Sequence, residues 1–106
     1  MTTIRMLGKH GDYFGFEVSG HTGAGTEGND LVCAAVSFLT VTIVNAMETV
    51  AKSPMKVRQA DGYIKAELKT EHRNEQAQTI LNTFHQGAKD LHQEYPAFVT
   101  LIEPMI

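Results

Sequence analysis

The sequence predicts an α+β fold, a two-layer sandwich in which a mainly antiparallel sheet of about five strands carries two helices on one face, in the order ββαββαβ. Three observations predict it. Apolar residues alternate with other residues at 13–19 and again at 63–68, the period of a half-buried strand. At 30–51 and 74–94 they recur at three- and four-residue steps, the period of a helix. Turn chemistry, in KHGDY near the N-terminus and in Asp61-Gly62, separates neighbouring strand patterns and so makes hairpins.

Taken in order, residues 3–8 and 13–19 form the first hairpin, with Phe14, Phe16 and Val18 alternating with Tyr13, Gly15 and Glu17. A glycine-rich loop follows, from Gly20 to Gly28. The first helix is expected from Asp30 to Ala51, with Asp30 as N-cap and Leu31, Ala35, Leu39, Ile43, Met47 and Val50 along one face. Val32, Val36, Phe38, Val41 and Val44 make the opposite face apolar as well, so this helix needs cover on a second side, which a homodimer interface would supply. KSP at 52–54 ends it. The second hairpin runs from MKVRQ through Asp61-Gly62 to YIKAELK, with Ile64, Ala66 and Leu68 on one face. The second helix, Asn74 to Glu94, aligns Ala77, Ile80, Leu81, Phe84, Ala88 and Leu91. Tyr95-Pro96 stops it, and AFVTLI at 97–102 suits a last strand.

With 106 residues, 42% hydrophobic and 20% charged, the chain reads as a single folded domain spanning 1–106. A net charge of −3 and scattered basic residues argue against direct nucleic-acid binding, which needs a basic face. One cysteine makes no internal disulfide, so an oxidising compartment is not implied. The first eighteen residues lack the apolar core of a signal peptide, and the most apolar window, Leu31 to Val50, is broken by Ser, Thr, Asn and Glu. A cytoplasmic protein without a membrane span is the expectation.

The chemistry concentrates in GHTGAGTEGNDLVCAAVS, residues 20–37. A lone cysteine in an apolar context is commonly a packing residue, and a lone histidine is commonly structural. The combination allows more. If Asp30 caps the helix, Cys33 lies in its first turn, where unpaired N–H groups and the helix dipole favour a thiolate and could receive an oxyanion. His21 would be its acid–base partner if the loop folds back, and Asp30 would cap the helix or also orient His21. Gly23-Ala-Gly-Thr-Glu-Gly28 matches the dinucleotide fingerprint G-x-G-x-x-G, but the surrounding parallel βαβ unit and the acidic residue at the next strand end are missing.

These residues carry a resemblance. SGH, followed by GNDLVCAAVS, resembles the signature of the ribosomal-processing cysteine protease family, and Asp-Gly-Tyr-Ile and the late Tyr-Pro agree with the family's pattern along the rest of the chain. The resemblance implies a cysteine endopeptidase that removes the N-terminal extension of a large-subunit ribosomal protein (number twenty-seven), cutting after an aromatic residue. It implies His21 and Cys33 as the catalytic pair, a homodimer, and a flexible substrate loop containing Gly20, Gly23, Gly25 and Gly28. Residues 22–28 are small or polar where relatives often place an aromatic, so the family's substrate contacts in this loop are not carried over to this chain, whereas the catalytic pair is.

The remaining candidates are weaker. Ser37, one turn beyond Cys33, is site-adjacent. His85 and His92 stand seven residues apart, too far for an i, i+4 metal pair, and are expected at the surface. His10 and His72 are assigned nothing, and neither a metal nor a cofactor is expected. Tyr13 or Tyr63 could line a substrate groove. Two non-enzymatic readings compete: a ribosome- or protein-binding module that needs no thiolate, and an anion-binding protein using the glycine-rich loop and helix N-terminus.

Overall fold

The structure, a computed structural model, describes residues 1–20 and 27–105, with 27–30 described through their backbone only. The elements are β1 (Thr2–Lys9), β2 (Asp12–Ser19), α1 (Glu27–Thr49), β3 (Lys56–Ala60), β4 (Tyr63–Glu67), a short 3-10 turn (Thr70–His72), α2 (Glu75–Glu94) and β5 (Val99–Ile102). The predicted order ββαββαβ is therefore the observed one. The sheet runs β3-β4-β2-β1-β5; three of its pairings are antiparallel, and β5 lies parallel to β1 because the chain crosses over through α2.

Pairing registers place Ile4 beside Val18 and Leu101, Met6 beside Phe16, Phe16 beside Ala66, and Thr2 beside Val99. These residues form the helix-covered face, and most are fully buried. The other face is polar: Arg5 pairs with Glu17 at 3.5 Å, Lys65 with Glu67 at 3.9 Å, and the Tyr63 hydroxyl donates to the Glu17 carboxylate. That hydrogen bond to a charged acceptor raises the Tyr63 pKa above its usual value. One sheet face is thus dry and the other wet, which is why the helices share one side.

The first hairpin departs from simple alternation. Leu7 pairs with Gly15 but Gly8 with Tyr13, so Phe14 is an extra, bulged residue. The bulge turns Tyr13 to the helix side, where it is buried, and leaves Phe14 half-exposed under the Arg73 guanidinium, 5.3 Å from its ring centroid. Gln78 of α2 completes Tyr13's backbone bonding, accepting from its N–H at 2.9 Å and donating to its carbonyl at 3.0 Å. Gly8 has φ 119°, and a Cβ there would lie 2.7 Å from the Asp12 carbonyl oxygen.

α2 forms as its sequence predicts. Asn74 caps it, its side chain accepting from Ala77 N–H at 2.8 Å, and Ala77, Leu81, Phe84 and Ala88 are buried in one stripe. Phe84 stacks on Phe16 with ring centroids 3.9 Å apart. α1 differs from expectation in three respects. It begins at Glu27, so Asp30 lies inside the helix and not at its N-cap. Its buried stripe is Val32, Val36, Thr40, Ile43 and Met47, while Leu31 and Val50, expected inside, are exposed. The choice between two apolar stripes is settled by how the helix sits on the sheet, and Leu39 rests over Gly87 of α2, where a Cβ would come within 2.9 Å of both its methyls. Finally, Leu31–Thr49 is long and apolar enough to cross a membrane by length and composition, which the sequence reading had not granted it; its inner stripe nonetheless packs on the sheet.

Candidate active site

Cys33 projects from α1 at the end of the sheet where β2 stops and the β3–β4 turn closes. It is half-buried and opens on a cavity of about 290 Å³. α1 supplies one wall through Cys33, Val36, Ser37, Thr40 and Val41; the sheet supplies the other through Thr2, Val18, Gln59, Gly62, Tyr63 and Ile64. Helical spacing sets the first wall, since 33, 36, 37, 40 and 41 lie on one face. Thr40 is buried, with its hydroxyl donating to the Val36 carbonyl at 2.8 Å, so its methyl side is the part left for the cavity.

The sheet end is held tightly. Gly20 N–H donates to the Gly62 carbonyl at 2.9 Å, joining the end of β2 to the β3–β4 turn. Gly20 has φ 94°, and a Cβ there would meet the Met1 carbonyl oxygen at 2.3 Å. Its glycine is thus required by close backbone approach, a reason the sequence reading did not supply when it grouped Gly20 with the loop. Gly28 belongs to the first turn of α1.

Of the predicted site residues, Cys33 and Ser37 meet at one cavity. His21, Gly23 and Gly25 lie outside the described residues, and Asp30 is described only as a helical backbone position. The expected oxyanion site needs correction. Cys33 is the seventh residue of α1, beyond the four N–H groups that a helix start leaves unpaired. Its own amide belongs to the helical ladder, so the helix terminus does not place free donors at the sulfur. Ser37 is exposed and, among the described residues, makes no hydrogen bond, whereas Thr40, Thr49, Thr79 and Thr83 each donate to the carbonyl four residues back.

The aromatic and histidine expectations divide. Tyr63 borders the cavity as proposed, but Tyr13 is at the opposite end of the sheet, and burial raises its pKa. There it contacts His85, whose ring centroid is 5.2 Å away. His85 is not the surface residue expected: its side chain is 12% exposed, and its Nε2 is 2.6 Å from Glu103 Oε1. His10 also approaches Glu103, at 3.5 Å. Sequence reasoning missed this cluster because its members come from three distant stretches, the first hairpin, α2 and the chain beyond β5; it fastens that last stretch to the rest of the fold. His92 is exposed as expected and bonds to the Val99 carbonyl at 2.7 Å. Among the described residues no group of three His, Cys, Asp or Glu side chains is arranged to hold a metal ion.

Comparison with known proteins sharpens the chemistry. The chain is 33% identical to SMU.848 from Streptococcus mutans over 97% of its length and 93% of that chain, with a TM-score of 0.88. It shares the fold of the essential ribosomal processing protease Prp from S. aureus. In that protein's complex with a substrate peptide the TM-score is 0.86 at 23% identity, covering 98% of this chain and 100% of that one. In its complex with a covalently linked product peptide the TM-score is 0.85 at 24% identity, with the same coverage. A search of curated proteins found no match. The family model of the cysteine protease Prp matches residues 1–100, nearly the whole chain. By that match, and with its single cysteine at the mouth of a cavity, the chain belongs to the Prp family of cysteine proteases.

Proposed function

We propose that this protease removes the N-terminal extension of a large-subunit ribosomal protein (number twenty-seven), cutting after an aromatic residue, with Cys33 as nucleophile and His21 as its acid–base partner. The observation that carries the reading is the position of Cys33, the chain's one thiol, on the wall of the cavity. The apolar part of that cavity, formed by Val18, Val36, Val41 and Ile64, suits an aromatic side chain held beside the scissile bond.

Peptide cleavage then runs in two halves. Cys33 thiolate attacks the scissile carbonyl carbon, forming a tetrahedral intermediate. The C–N bond breaks as the imidazolium of His21 protonates the departing amine, leaving a thioester on Cys33. His21 next takes a proton from water, whose oxygen displaces the sulfur and releases the acid product. Ser37, with its hydroxyl uncommitted one turn from Cys33, is positioned to hydrogen-bond the peptide near the reacting carbonyl. The reaction needs no metal or cofactor. A ribosomal substrate places it in the cytoplasm, and the exposed apolar residues Leu31, Ala34 and Phe38 of α1 support a homodimer built on that face.

The test is mass spectrometry of a synthetic peptide carrying the extension and the residues just past it. Wild type should cut once, after the aromatic residue, and Cys33→Ala and His21→Ala should each lower the rate by at least about a thousandfold. Full activity in either variant would sink the pair; cleavage elsewhere would overturn the substrate assignment.

A further inference from the structure

We infer that the outer edge of β3 is the strand on which the substrate docks, the peptide adding to the sheet beside β3 and being led along α1 to Cys33. The inference rests on the protease reading above and adds the surface that holds the substrate.

Two strands end the sheet, β3 and β5. β5 is four residues long, with Val99 buried and the rest half-buried, and the cavity touches none of it. β3 is exposed at all five of its residues. Along its outer side, backbone N–H and C=O groups have no strand beside them among the described residues, which makes a ready template for an extended chain. β3 also borders the chemistry, because Gln59 and the following Gly62 line the same cavity as Cys33.

Direction and length agree. α1 runs away from the cavity end, the chain reverses at 50–55, and β3 runs back beside it. Lys56 therefore lies towards the end of α1, and Ala60 towards Cys33. Five strand residues cover about 16 Å, the rise of about eleven helical residues, so β3 spans α1 roughly from Cys33 to Val44. A peptide paired with β3 reaches Cys33 just past Ala60, in the extended form that exposes its carbonyl to attack.

Register also gives the chemistry of the occupant. Val57 pairs with Ala66 and Gln59 with Ile64, so Val57 and Gln59 belong to the face that carries the helices. Lys56 and Arg58 belong to the opposite face, where Arg58 stands directly across from Lys65. Val57 and the cavity residue Val41 are 37% and 54% exposed, an apolar flank that the described residues leave uncovered. The fitting partner is thus an extended segment whose alternate side chains are apolar, facing Val57 and Val41, with polar ones between them beside Lys56 and Arg58. Main-chain hydrogen bonds would hold it and the apolar set would select it.

The experiment is hydrogen exchange of Cys33→Ala with and without the extension peptide, beside cleavage of that peptide by wild type. The outward amides of 56–60 should exchange at least about tenfold more slowly with saturating peptide. N-methylation of successive peptide amides should lower wild-type kcat/KM at every second position, because only alternate amides face β3. Cleavage with unchanged exchange at 56–60, or N-methyl effects without a two-residue period, would overturn edge docking and leave the protease reading standing. Protection of 56–60 without cleavage would keep the docking strand and sink the substrate assignment. Neither protection nor cleavage would sink both.

Discussion

α2 buries Ala77, Leu81, Phe84 and Ala88 in one stripe and turns polar residues to solvent, whereas α1 buries Val32, Val36, Ile43 and Met47 and still exposes Leu31, Phe38, Val41 and Val50. Both helices lie on the same face of one sheet, so the sheet's demand for cover does not explain the difference. Exposed apolar side chains on α1 gain nothing from folding of the single chain. Of these, Val41 lines the cavity that holds the thiol, whereas Val50 lines a second cavity against Glu75, Gln76, Thr79 and Ile80 at the start of α2. One helix thus serves stability alone, and the other divides its residues between the core and an exposed apolar face, which the proposed homodimer would cover.

Substitutions on the two helices break or sharpen this comparison. The largest effect on folding belongs to Phe84→Ala, which removes the ring stacked on Phe16 and leaves a cavity; urea unfolding should show a loss of about 3–5 kcal/mol. A loss below about 1 kcal/mol would mean that the stripe is not the core. Phe38→Asp on α1 should act elsewhere. Phe38 is 75% exposed, so the folded protomer should lose less than about 0.5 kcal/mol, while sedimentation should show the affinity of the proposed dimer falling by at least about thirtyfold. An unchanged association would remove that face of α1 from the interface. Asn74→Ala deletes both the cap of α2 and a 2.8 Å hydrogen bond to the buried Ser53, and should cost about 1–2 kcal/mol. Thr83→Ala, on the exposed face of α2, should change stability by no more than about 0.5 kcal/mol in the same assay.

How far the sequence was legible follows the same division. α2 was readable nearly to the residue because one apolar stripe and a Tyr-Pro stop agree, while the Asn74 cap shows only in the structure. α1 was readable as a helix but not in its rotation, since two apolar stripes compete and only contact with the sheet and Gly87 chooses between them. Its start was misplaced because Asp30 has the chemistry of a cap yet lies within the helix. In the first hairpin, strict alternation favoured Phe14 as a core residue; one bulged residue gives that place to Tyr13. Of the cavity, the helix wall with Cys33 and Ser37 was legible from the motif around them, while the opposite wall was not. Thr2, Val18, Gln59 and Ile64 reach the cavity only through strand pairing.

The central claim is that Cys33 works with His21, and the rate of Cys33 alkylation by iodoacetamide near pH 7 tests it most directly. A thiolate held by an imidazolium reacts faster than an isolated thiol, so His21→Ala should slow alkylation by at least about tenfold while the protein stays folded. Equal rates in wild type and His21→Ala would contradict the pairing and make Cys33 a cavity residue without an acid–base partner at position 21.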